Sequence, residues 1–209
     1  MIRKHMKKLL TILLATICLF ALCACSTGTN PTGSNPIKVG VVQTTQHPAL
    51  DAATQGFVDA LKENGITNVD VQNASGESAN CSTIVGNFVA DGVDLIMANA
   101  TPALQAASAA TDTIPVLGTS ITVYDVVLGG SVPKNVSGTT DLAPLDEQAK
   151  MITELFPEAK KVGVLFCSAE ANSQYQVDKI SEFLKEDGIE TVNYVFNDSN
   201  DITAVTEKA

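Results

Sequence analysis

One stretch of this chain occurs twice, and the repetition limits the folds open to it. Residues 38–66, KVGVVQTTQHPALDAATQGFVDALKENGI, align without a gap on residues 161–189, KVGVLFCSAEANSQYQVDKISEFLKEDGI. Lys-Val-Gly-Val opens both copies, and Leu-Lys-Glu-x-Gly-Ile closes both. The opening run reads as a buried strand. The segment after its loop reads as a helix, with Leu50, Ala53, Phe57, Ala60 and Leu61 on one face. In this register Phe57 matches Ile180 and Leu61 matches Leu184, and Gly65 stops the first helix. A strand-loop-helix unit used twice predicts two lobes, each starting with its own copy. The copies differ most in the loop, QTTQHPALD in the first and FCSAEANSQ in the second.

The alternation continues between the copies. Residues 69–74, 93–100, 114–120 and 135–140 read as strands, and 78–91 and 102–110 as helices. Thr101 is placed to cap the second of these helices, with Pro102 at its first position. A further helix is predicted over 145–156. Near-continuous apolar strands separated by helices call for a parallel sheet covered on both faces. The expected fold is therefore α/β, with two doubly wound parallel-sheet lobes. The N-terminal lobe takes residues 37–140 and a partial second lobe residues 141–209, with the crossing near Thr139 to Pro144. The second lobe holds barely two strands, and a helix begins behind Asn200 and Asp201 where the sequence stops. By symmetry about 100 further residues would complete it, so the sequence is read as a fragment or truncated product.

The first 36 residues have a different character. Arg3, Lys4, Lys7 and Lys8 precede an apolar run from Leu9 to Leu22. A bilayer span takes roughly 20 residues, and this run is shorter; it fits a signal peptide over residues 1–24. Leu22-Cys23-Ala24-Cys25 resembles a bacterial lipobox, which makes Cys25 the lipidated N-terminus. Residues 25–36, small, polar and rich in Pro and Gly, read as a flexible tether. The expected location is the outer face of the cytoplasmic membrane, the body held there by its lipid.

Charge and cysteine content remove several function classes. The chain carries 13 Lys and Arg against 23 Asp and Glu, and four of those bases lie in the signal segment. A strongly acidic body has the wrong sign to bind nucleic-acid phosphates. Besides the anchor Cys25, only Cys81 and Cys167 lie beyond the signal segment, in different lobes, so two free thiols are expected. No metal-ligand spacing and no cofactor motif is present. G-x-S-x-G, the P-loop and a G-x-G-x-x-G after a strand are all missing, so no catalytic residue is assigned.

What remains is the loops. In an open parallel sheet, ligands bind beyond the carboxyl ends of the strands. Helix N-termini point there too, each with unpaired N–H groups and a partial positive charge. The loops in question are QTTQHP, NASGES, ANATPA, GTSIT and CSAEANS. They are rich in neutral hydrogen-bonding groups, which suits a small polar or zwitterionic ligand. The helix starts at Ser168 to Ser173 and Thr101 to Ala103 are placed to hold a carboxylate. Glu170 could accept from an amino group, and His47 is the only histidine after the leader. The same residue types also cap helices and form turns for local reasons.

The strings HPALDAATQGFVDALKENG, NASGESANCSTIVGNFVADGVDLIMANATPALQAA, VSGTTDLAPLDEQ and KKVGVLFCSAEANSQYQVDKI resemble the substrate-binding lipoproteins of ABC importers. The resemblance runs from Ile37 to Ala209, to the branch that includes tryptophan- and tyrosine-binding proteins. It implies a type I periplasmic-binding-protein fold that closes on a small ligand about a hinge at Thr139 to Asp141. It also implies delivery of the ligand, an amino acid by this likeness, to a membrane permease and an ATPase. By position, first-lobe contacts come from Thr45, Gln46, His47, Thr101, Pro102, Thr119 and Ser120. Second-lobe contacts come from Ser168, Glu170, Asn172 and Ser173. The family's Val-Thr-Asp-Pro after the fourth strand is replaced here by SITVYDVV, which leaves the ligand open. A later acidic contact of the family falls beyond residue 209. Two other readings compete, a binder of nucleosides, sugars or other small solutes, and a hydrolase built on Ser, His and Glu.

Overall fold

A computed structural model describes residues 36–198 and 200–209. The signal segment, Cys25 and the tether therefore lie outside the described residues. From Ile37 onward the chain forms a compact unit. It runs β1 (Lys38–Gln43), α1 (Pro48–Glu63), β2 (Asn68–Asn73), α2 (Ser78–Ala90), β3 (Leu95–Asn99), α3 (Thr101–Ala110) and β4 (Val116–Ile121). It continues α4 (Tyr124–Val127), β5 (Val136–Thr140), α5 (Leu145–Leu155), β6 (Lys161–Cys167), α6 (Ala171–Glu186), β7 (Glu190–Phe196) and α7 (Ile202–Thr206). The first five strands form one parallel sheet in the order β2-β1-β3-β4-β5, and β6 and β7 form a second parallel ladder. The fold is α/β, as the alternation predicted.

Strand alternation assigns each side of the first sheet its cover. Val39, Val41 and Met97 pack beneath Phe57 and Leu61 of α1. Val42, Ile96, Ala98 and Val116 meet Val85, Phe88, Leu104 and Ala107 of α2 and α3 on the other side. Gly40 permits the close approach of α2, since a Cβ there would lie 2.5 Å from the Phe88 ring. The second ladder is covered differently. Leu184, Ile189 and Ala149 form a small core with Val162, Ile152 and Ile180. The opposite face leaves Leu165 43% exposed.

Three sequence expectations need correction. Thr101 is not a cap: Ala100 precedes α3 with φ 79° and no side-chain cap bond, and Thr101 is its first residue. Ala60 is exposed, and the one buried residue of α1 is Thr54, a polar side chain absent from the predicted face. The short helix α4, inside SITVYDVV, was not anticipated. A four-residue helix shows too little periodicity to be read from sequence.

Candidate functional site

The carboxyl ends of β1 to β4 meet at one edge of the first sheet, and backbone strain is concentrated there. Ser75, Ala100 and Ser120 are the non-glycine residues with positive φ among the described residues. They lie just after β2, just after β3 and near the end of β4. Such conformations cost about 1–3 kcal/mol each and persist only where the surroundings over-determine them. The Ser120 distortion coincides with a register shift between β4 and β5.

The loop after β1 is held tightly. Thr44 is buried; its backbone N–H donates to Asn99 O at 3.2 Å and its hydroxyl to the same carbonyl at 3.1 Å. That hydroxyl also accepts from Ala103 N–H at 3.3 Å. Thr44 thus supplies, from another loop, the cap expected of Thr101. It also uses one of the N–H groups at the α3 start that could have met a carboxylate. Thr101 itself is buried. Burial pushes the thiol pKa of nearby Cys81 up, opposed by a hydrogen bond with Thr44. His47 caps α1: its Nδ1 accepts from Ala49 N–H at 3.2 Å. Its Nε2 is the ring nitrogen left free by that cap.

Beside this lip is a polar hollow of ≈ 650 Å³ lined by Gln43, Thr45, Gln46, Asp51, Thr54, Asn73 and Ser75. On the α1 side of β4 and β5 a second groove, ≈ 360 Å³ and mainly apolar, runs past Phe57, Met97 and Leu117 to Thr119 and Thr139. An apolar hollow at Ile152, Leu155, Phe156 and Val162 lies at the opposite end of the second ladder, away from the strand ends.

The predicted first-lobe residues Thr45, Gln46, His47, Thr101, Pro102, Thr119 and Ser120 all fall at this sheet edge, half-buried or exposed except for Thr101. Ser168, Glu170, Asn172 and Ser173 group separately at the end of β6 and the start of α6. Ser168 spends its hydroxyl on Asn197 Oδ1 at 2.7 Å. Glu170 sits at the N-cap without a cap bond, and Asn172 Oδ1 is buried without a partner. Among the described residues no hydrogen bond joins the two groups. Helix α4, which follows β4, packs against α6. Sequence reasoning placed Gln43, Thr44 and Asn99 in the site loops without giving them individual roles, and it missed Thr54. A buried Gln ending an apolar strand was the available signal.

The described residues contain no cluster of three or more His, Cys, Asp or Glu placed for a metal, and no helix long and apolar enough to cross a membrane. Cys81 and Cys167 are free thiols.

The sequence model of the family described as ABC transporter substrate binding protein matches residues 38–209. This chain belongs to that family. It is 36% identical to a tyrosine-binding protein of Clostridioides difficile, covering 78% of this chain and 50% of that protein. An ABC domain from Streptococcus pneumoniae in complex with L-tryptophan matches at 32% identity and TM-score 0.75, over 80% of this chain and 60% of that one. A ligand-free, open substrate-binding protein with adhesive properties from Clostridium difficile matches at 35% identity and TM-score 0.60, over 82% and 61%. The architecture is that of type I periplasmic binding proteins, and the chain spans about half the length of the curated relative it matches.

Proposed function

We propose that this chain captures a small extracytoplasmic ligand for an ABC importer, and that the ligand is an aromatic amino acid such as tryptophan or tyrosine. The carrying observation is the family membership joined to relatives that are tyrosine-binding and tryptophan-bound at above 30% identity. The local chemistry agrees: the sheet edge offers threonine and serine hydroxyls, and the groove reaching Thr119 is lined by Phe57, Met97 and Leu117. The ligand would be held between the two strand-end groups, from Thr45 to Ser120 and from Ser168 to Ser173, and released to a permease and its ATPase. Closure about Thr139 to Asp141 would be the mechanism, with no bond made or broken. Residues 37–140 and 141–209 would act as the two lobes, with Cys25 carrying the lipid.

A thermal-shift screen of the amino acids, nucleosides and sugars tests this. Ligand at 100 times its dissociation constant adds about 2.7 kcal/mol of stability. A shift confined to tryptophan, tyrosine or phenylalanine is expected. A shift with a nucleoside or sugar instead would replace the substrate, and no shift at all would remove the binding role. Cys25→Ala is expected to move the chain from the membrane to the soluble fraction; retention on the membrane would remove the lipid-anchor reading.

A further inference from the structure

The interior side of the lip contains a polar network that the ligand-binding reading does not use. Thr54 Oγ donates to Gln43 Oε1 at 2.6 Å and accepts from Asn99 Nδ2 at 2.9 Å. Asn99 Nδ2 also donates to the Leu50 carbonyl at 2.8 Å, in the first turn of α1. Gln43 Nε2 donates to the Thr45 carbonyl at 2.8 Å and to Asp51 Oδ1 at 2.6 Å. Gln43, Thr54 and Asn99 are 4%, 8% and 0% exposed.

Every proton in this network has one possible owner. A flipped Gln43 amide would set its oxygen against the Thr45 carbonyl and the Asp51 carboxylate. A flipped Asn99 amide would set its oxygen against the Leu50 carbonyl. The Thr54 hydroxyl has one proton, and Gln43 Oε1 takes it. The polarity is therefore fixed, and both ends of the network finish on the lip: Thr45 in the loop, Leu50 and Asp51 in the helix behind it.

The duplicated unit supplies an internal control. Position for position, Phe166 stands where Gln43 does and Val177 where Thr54 does. Both are buried, 7% and 6% exposed. The same strand-loop-helix unit thus forms with buried apolar residues at both positions, so its fold does not require the polar ones. Burying polar groups is unfavourable wherever an acceptor stays unpaired, and Asn99 Oδ1 is buried without a partner among the described residues. What the polar network has and the apolar pair lacks is direction.

We infer that Gln43, Thr54 and Asn99 are positioning residues: they lock the loop from Thr44 to His47 and the first turn of α1 in the arrangement that receives the ligand. They raise affinity by holding that arrangement, and Gln43 and Thr54 also line the polar hollow beside the lip. This deepens the ligand-binding reading and rests on it for the affinity effect, though not for the effect on the loop.

Thr54→Val breaks the middle link, Thr54→Ser keeps the hydroxyl, and Gln43→Phe with Thr54→Val transplants the second copy's pair. Amide hydrogen exchange is measured along the full chain, and affinity is measured with L-tryptophan and L-tyrosine as probes. In Thr54→Val, exchange over residues 44–51 should rise at least tenfold, while amides inside β1 and β3 change less than twofold. Probe affinity should fall at least tenfold, and Thr54→Ser should restore both. The transplant should still fold, since the second copy carries apolar residues at both positions, and should show the same loosened lip. Unchanged exchange at the lip would overturn the inference, as would a uniform rise across β1 and β3. If the wild-type chain binds neither probe, the aromatic amino-acid reading fails, and the exchange pattern alone decides the positioning role.

Discussion

Tyr124 joins two strands through one hydroxyl. Its proton lies between the Gly118 carbonyl of β4 at 2.8 Å and the Thr139 carbonyl of β5 at 3.1 Å. Gly138, at φ 149°, leaves no room for a Cβ, which would collide with Gly118 O and the Tyr124 hydroxyl. Burial first, and the Asp141 charge second, push the Tyr124 pKa up to about 12. The folded state therefore holds this proton more tightly than the unfolded chain, where tyrosine titrates near 10. The resulting stability is fully present below about pH 10 and is lost as pH rises toward about 12. Tyr124→Phe should lower stability by about 1 kcal/mol at neutral pH and flatten the loss between pH 10 and 12. Denaturant midpoints across that range measure both. Gly138→Ala should cost about 3 kcal/mol through overpacking and strained backbone, seen as a lower melting temperature.

At the scale of elements, the two copies of the repeat are not equally buried. Leu184 of α6 is fully buried, while its counterpart Leu61 on α1 is half-buried. Leu184→Ala should cost about 2–5 kcal/mol by lost transfer and cavity terms, and Leu61→Ala at least about 1 kcal/mol less. Thermal or denaturant unfolding of the two variants measures the difference. The repeated glycine has also taken two partners. Gly40 makes room for Phe88 from a helix across the sheet, and Gly163 for Tyr194 from the neighbouring strand. One sequence signal thus served two packing solutions, because the elements facing each copy differ.

Over the whole molecule, the two sheets differ in support. The five-stranded sheet has helices on both faces, with Val39, Val41, Val42 and Ile96 out of solvent. Among the described residues the β6-β7 ladder has two strands, with Leu165 exposed and Tyr194 half-buried on one face. Two-stranded ladders are marginal without further cover, and local opening follows from few buried contacts. Amides of β6 and β7 should exchange at least about tenfold faster than those of β1 and β3. Peptide-resolved exchange mass spectrometry would show it; equal protection in both sheets would mean that the second ladder draws its stability from elsewhere.

Most of the architecture was legible in the residues. Apolar runs, helical periodicity and stop glycines are local signals, so the parallel α/β order and the duplication could be read without coordinates, with ends shifted by one or two residues. The gathering of Thr45, Thr119 and their neighbours at one sheet edge was legible too, because strand direction alone puts those loops there. What the residues could not specify was who satisfies whom. Thr44 rather than Thr101 caps α3, Thr54 rather than Ala60 is buried on α1, and Tyr124 ties β4 to β5. Each depends on a partner 6 to 59 residues away in sequence, and a hydrogen bond's worth depends on burial that only the packed chain creates.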